Sequence, residues 1–67
     1  MRPAAPKNQG QRQLRELVVG GFNRVCRETD IPANILTTIV ADGKPEFLLR
    51  KRLERVGISL RSWEQTI

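Results

Sequence analysis

The stretch FNRVCRETDIPANILTTI, residues 22–39, decides the fold. Its apolar residues keep helical spacing on both sides of a break. Phe22, Val25 and Cys26 fall at i, i+3 and i+4, one stripe of a helix. Leu36 and Ile39 form the inward stripe of the next, with Ile35 beside them and Val40 at the margin. Between the stripes stands Thr29-Asp30-Ile31-Pro32. Asp tolerates left-handed backbone angles better than most residues, and proline, which lacks an N–H donor, suits the first turn of a helix. The spacing predicts helices over 22–29 and about 32–41, joined by a tight turn whose Ile31 points inward.

Upstream, Leu14, Leu17 and Val18 make an apolar stripe over 11–19, with Arg12, Arg15 and Glu16 facing water. Gly20-Gly21 ends that helix. Residues 1–10 carry three helix-unfriendly positions, Pro3, Pro6 and Gly10, together with Arg2 and Lys7. They read as a flexible basic arm, either an ordinary frayed terminus or an arm that lies along a polyanion. Downstream, Gly43 closes the helix over 32–41. Pro45 opens another over about 45–56, with Glu46 placed at its positive end. Leu49, Leu53 and Val56 supply its stripe, and Phe47 and Leu48 widen it. Gly57 stops it. Ser59 is an expected N-cap for a last helix over 60–65, where Leu60 and Trp63 share one side. No sustained alternation marks a strand. The expected fold is all-α, a bundle of five short helices, with residues 11–67 as its single domain.

A chain of 67 residues buries a modest core, so a second copy is a reasonable expectation for its stability. One cysteine and no histidine exclude an internal disulfide and leave no ligand set for zinc. Cys26 reads as a buried structural thiol, because no histidine exists to activate it. No carboxylate pair suits acid–base work, and Gly20-Gly21 lacks the context of a phosphate loop. An enzyme, a cofactor and a small-molecule ligand are therefore not expected. Twelve Lys and Arg against seven Asp and Glu give a net charge of +5, with an isoelectric point near 10.7. Such a balance points to a polyanionic partner. No apolar run reaches the ~18 residues of a membrane span, residues 1–10 hold no apolar h-region, so a secretory signal is not expected there, and a free thiol fits a reducing cytoplasm.

The face of the 32–41 helix opposite its apolar stripe presents Ala33, Asn34, Thr37, Thr38 and Ala41. It is small and uncharged. Asn34 can pair with adenine N6 and N7; Thr37 and Thr38 can donate, accept or pack a methyl on thymine. Ala33, Asn34, Thr37 and Thr38 are the candidate base contacts, at a site expected to include A·T pairs. Candidate phosphate contacts are the backbone of Gly21 and Phe22 at a helix start, Arg24, Arg27, Lys44, Arg50 and Lys51. Arg52 and Arg55 read as a solvated basic face. Leu60, Trp63 and Ile67 are candidate dimer contacts, Trp63 serving either there or as a cap on the core.

These residues resemble the lambda-repressor-like (Cro/CI or XRE-type) helix-turn-helix domain over about residues 14–64. The likeness is carried by 22–39, by Gly43-Lys44-Pro45-Glu46, by Arg52-Leu53-Glu54-Arg55-Val56-Gly57-Ile58-Ser59 and by Trp63-Glu64. A small residue falls inside the first helix of the motif (Cys26), a turn residue precedes an apolar anchor (Asp30, Ile31), and Leu36 and Ile39 hold the second helix. The family usually has Gly where Asp30 stands and often Gln where Phe22 stands. The resemblance implies a homodimeric, sequence-specific transcriptional regulator of the kind phages and mobile elements carry. It would bind a palindromic double-stranded DNA operator and repress by occlusion. A protein-interaction module on the same fold, an antitoxin or adaptor, is the alternative class. RNA is less favoured, since the chain has no tyrosine and no aromatic platform for stacking bases.

Overall fold

The structure, a computed structural model, describes residues 5–67. Helix α1 (Gln9–Thr29) starts at Asn8, whose side-chain oxygen accepts the Gln11 N–H at 2.8 Å. Asn-x-x-Gln is a capping arrangement, and here the Gln11 side chain reaches back to accept the Lys7 N–H. Gly21 leaves the helical region, with φ 165° and ψ 82°, and kinks α1. The helices expected over 11–19 and 22–29 are thus one element bent at the predicted glycine. Asp30 then takes left-handed angles, φ 56° and ψ 37°, and ends it. The N–H groups of Asp30 and Ile31 both reach the Cys26 carbonyl, and Ile31 is driven into the core.

Helix α2 (Ala33–Asp42) follows, with Pro32 at its N-cap and left-handed Gly43 at its end. Helix α3 (Phe47–Leu53) runs into a 3-10 turn, Glu54–Val56, and a second 3-10 turn spans Leu60–Trp63. Three α-helices and two short turns therefore stand where five helices were expected. Ser59 does not cap the last of these turns; its hydroxyl pairs with that of Ser62 at 2.7 Å. No strand forms among the described residues, although an isolated antiparallel bridge joins Asn8 to Thr66.

Helix α1 is the main packing surface. It meets α2 and both 3-10 turns, while α3 meets the two turns. Leu14 and Val25 of α1, Ile31, Leu36 and Ile39, Leu53, Ile58 and Trp63 make the core. Fully burying each such side chain contributes about 1.5–3 kcal/mol. Several inward assignments fail. Leu17 and Ile35 lie at the surface, and Phe47 and Leu48 are 61% and 66% exposed, so α3 enters the core through Leu53 and the half-buried Leu49. Arg15, expected in water, is half-buried and its Nε donates to the Val40 carbonyl at 3.1 Å. Trp63 is 5% exposed and belongs to the core. Its ring lies so close to α1 that a Cβ at Gly10 would overlap it. The expected arm is likewise shorter than residues 1–10. Asn8 and Gly10 are buried, and the Gln9 N–H donates to the Gln65 carbonyl at 2.8 Å. Residues 1–4 lie outside the described part.

Candidate nucleic-acid interface

Helix α2 is held from below by Leu36 and Ile39, both buried. Its far side follows from that anchoring. Ala33, Asn34, Ile35, Thr37, Thr38 and Ala41 are all exposed, and none carries charge. The threonine hydroxyls turn back on the helix: Thr37 Oγ1 donates to the Ala33 carbonyl at 2.8 Å and Thr38 Oγ1 to that of Asn34 at 3.1 Å.

The carboxyl end of α2 is fixed by three side chains: Asn8, expected in the arm, Arg15, expected in water, and Gln11, to which the sequence reading gave no role. The last four carbonyls of a helix have no partner within it. Here Gln11 Nε2 donates to the carbonyls of Val40 (3.0 Å) and Ala41 (3.1 Å), and Arg15 adds a second donor to Val40. Asn8 Nδ2 reaches the Gly43 carbonyl at 2.9 Å. Gln11 is completely buried. Because Gly43 is left-handed (φ 67°) and a Cβ there would fall 2.7 Å from Gln11 Oε1, only glycine fits beside this amide. These bonds set the angle of α2 against α1. The Asn8-x-x-Gln11 spacing was the one local signal of their role.

The expected phosphate contacts separate into groups. Gly21 and Arg24 line a groove of about 370 Å³ at the kink, but Glu16 and Glu28 line it too. Arg24 Nε already pairs with Glu28 at 3.2 Å, both exposed. Two carboxylates beside one guanidinium disfavour an anion there. Phe22 is half-buried and packs on the core. Arg50 donates from Nε to the Pro45 carbonyl at 2.9 Å, holding the loop before α3, and lies 3.8 Å from Glu64. Arg27, Lys44 and Lys51 are exposed. Lys51 Nζ sits 5.7 Å from the centre of the Phe47 ring, within cation–π range. Arg52 is no idle surface charge: its Nη1 donates to the Asp30 carbonyl at 2.9 Å, tying α3 to the turn that precedes α2. Of the expected dimer contacts, Leu60 is half-buried and Ile67 is exposed.

Set against protein-family models, curated proteins and solved structures, the chain matches none. Among the described residues no group of three or more His, Cys, Asp or Glu could hold a metal ion. No helix there is long and apolar enough to cross a membrane.

Proposed function

We propose that this chain is a sequence-specific, double-stranded-DNA-binding regulator of transcription, a lambda-repressor-like helix-turn-helix protein that reads bases with α2. The observation that carries the reading is the division of α2. Buried Leu36 and Ile39 and the Gln11 amide anchor it, while an uncharged face of Ala33, Asn34, Thr37 and Thr38 stands outward on a chain of net charge +5. Small neutral side chains permit close approach to base edges, and surrounding cations hold the phosphates. Arg27, Lys44 and Lys51, exposed and outside the acidic groove, are the preferred phosphate contacts. Two copies would place their α2 helices in successive major grooves about 34 Å apart on a palindrome, with Ile67 and Leu60 at the contact between copies. Occupying a promoter in this way represses it by occlusion.

In vitro selection from random duplexes tests the reading. A palindromic motif is expected, and Asn34→Ala or Thr37→Ala should abolish the preference while leaving weak, salt-sensitive binding. If both variants select the same sequence as the parent, α2 is not the reader. Lys44→Ala should weaken all duplexes about equally; a loss confined to one base position would contradict its assignment to phosphate.

One observation favours a second reading, a protein-interaction module. Phe47 and Leu48 lie open on α3 beside Lys51, Arg52 and Arg55, chemistry suited to an acidic segment with apolar anchors. A chain that stays monomeric by light scattering and retains no duplex would favour this class.

A further inference from the structure

We propose that the outward face of α2 recognises thymine through its C5 methyl groups. The inference rests on the reading of α2 as the base-reading helix and specifies what it reads. From sequence, each threonine could donate, accept or offer a methyl. The hydrogen bonds settle that choice. Thr37 and Thr38 commit their hydroxyl hydrogens to the carbonyls of Ala33 and Asn34. A hydroxyl has one hydrogen to give, so each residue offers the groove an acceptor lone pair and a methyl, but no donor. Exposed Ala33, Ile35 and Ala41 add only carbon. Ile35, expected in the core, is thereby part of the reading surface. The Asn34 amide is the one side-chain donor on this face.

Both base pairs show the major groove two acceptors, guanine N7 and O6 or adenine N7 and thymine O4, so a shortage of donors does not separate them. What separates them is the thymine methyl, which cytosine lacks; adenine also sets its N6 donor beside N7. Threonine oxygens accept from N6, Asn34 can take both adenine atoms, and the methyls of Thr37, Thr38 and Ile35 meet thymine methyls. Cytosine N4 could also donate to threonine, but cytosine has no methyl to meet this face. A face of outward methyl groups therefore sorts thymine from cytosine by carbon contact.

The test uses the full chain. A duplex site is first selected, then each thymidine in it is replaced singly by deoxyuridine, which removes the C5 methyl and leaves pairing and charge intact. Replacement at positions under α2 should weaken binding about fourfold per methyl, the equivalent of one buried carbon. Thr37→Ser, which keeps the hydroxyl and deletes the methyl, should make one of those positions indifferent to the replacement. A selected site whose affinity ignores deoxyuridine, or whose α2-facing positions are G·C, overturns the methyl readout while leaving DNA reading by α2 intact. Selection that returns no motif overturns both.

Discussion

The two ends of α2 are built differently. At its carboxyl end, three side chains from α1 and its cap bind the carbonyls of Val40, Ala41 and Gly43. At its amino end, Pro32 supplies no side-chain cap, and the Leu36 N–H simply closes on the Pro32 carbonyl. One end is locked to the body of the protein, and the other is bare and precedes the exposed Asn34. A probe needs this asymmetry: a rigid root fixes its direction, and a sparsely furnished tip can come close to its target. The turn before the tip is still not loose, because Arg52 holds the Asp30 carbonyl and Ile31 is buried.

Variants can break this contrast in order of severity. Leu36→Ala removes the anchor beneath the whole helix and should cost about 3–5 kcal/mol, most of the stability a domain of this size has. Urea denaturation followed by circular dichroism should show little cooperative transition. Gln11→Leu keeps the volume but withdraws the amide from the locked end; Arg15 still serves the Val40 carbonyl, while the Ala41 carbonyl and the Lys7 N–H lose their Gln11 partner, at about 2–3 kcal/mol. If stability were unchanged, the lock would be ornamental. Gly43→Ala should cost about 2 kcal/mol, combining left-handed strain with contact against Gln11. The smallest effect has the opposite sign. Asp30→Gly relieves a left-handed non-glycine residue and should raise the unfolding free energy by about 0.5–1 kcal/mol. A loss there would mean that the carboxylate itself stabilises the turn.

The same contrast shows what the chain made legible. The tip announced itself locally: Asp30 and Pro32 act through their own backbones, as Gly43 does at the far end, and the bounds of α2 fall close to the expected ones. The break at Gly21 was legible for the same reason. The root was not, because Gln11 and Arg15 are polar, and polar residues default to solvent until a distant carbonyl needs them. Ile35, Phe47 and Leu48 failed for the converse reason. Three consecutive apolar residues, as at 47–49, do not say which of them faces inward, and surfaces carry apolar groups freely. For the candidate site, the outward positions of Asn34, Thr37 and Thr38 could be read from periodicity, but the direction of the threonine hydrogens could not.

Trp63 gives the molecule an optical reporter. It is the one tryptophan in a chain without tyrosine, so ultraviolet-excited emission originates almost wholly from an indole pressed on Gly10 at the seam where the Asn8–Thr66 bridge closes. Emission should redden when that seam parts. Comparing this colour change with the loss of helical ellipticity would reveal whether the chain's two ends unzip before the rest or together with it.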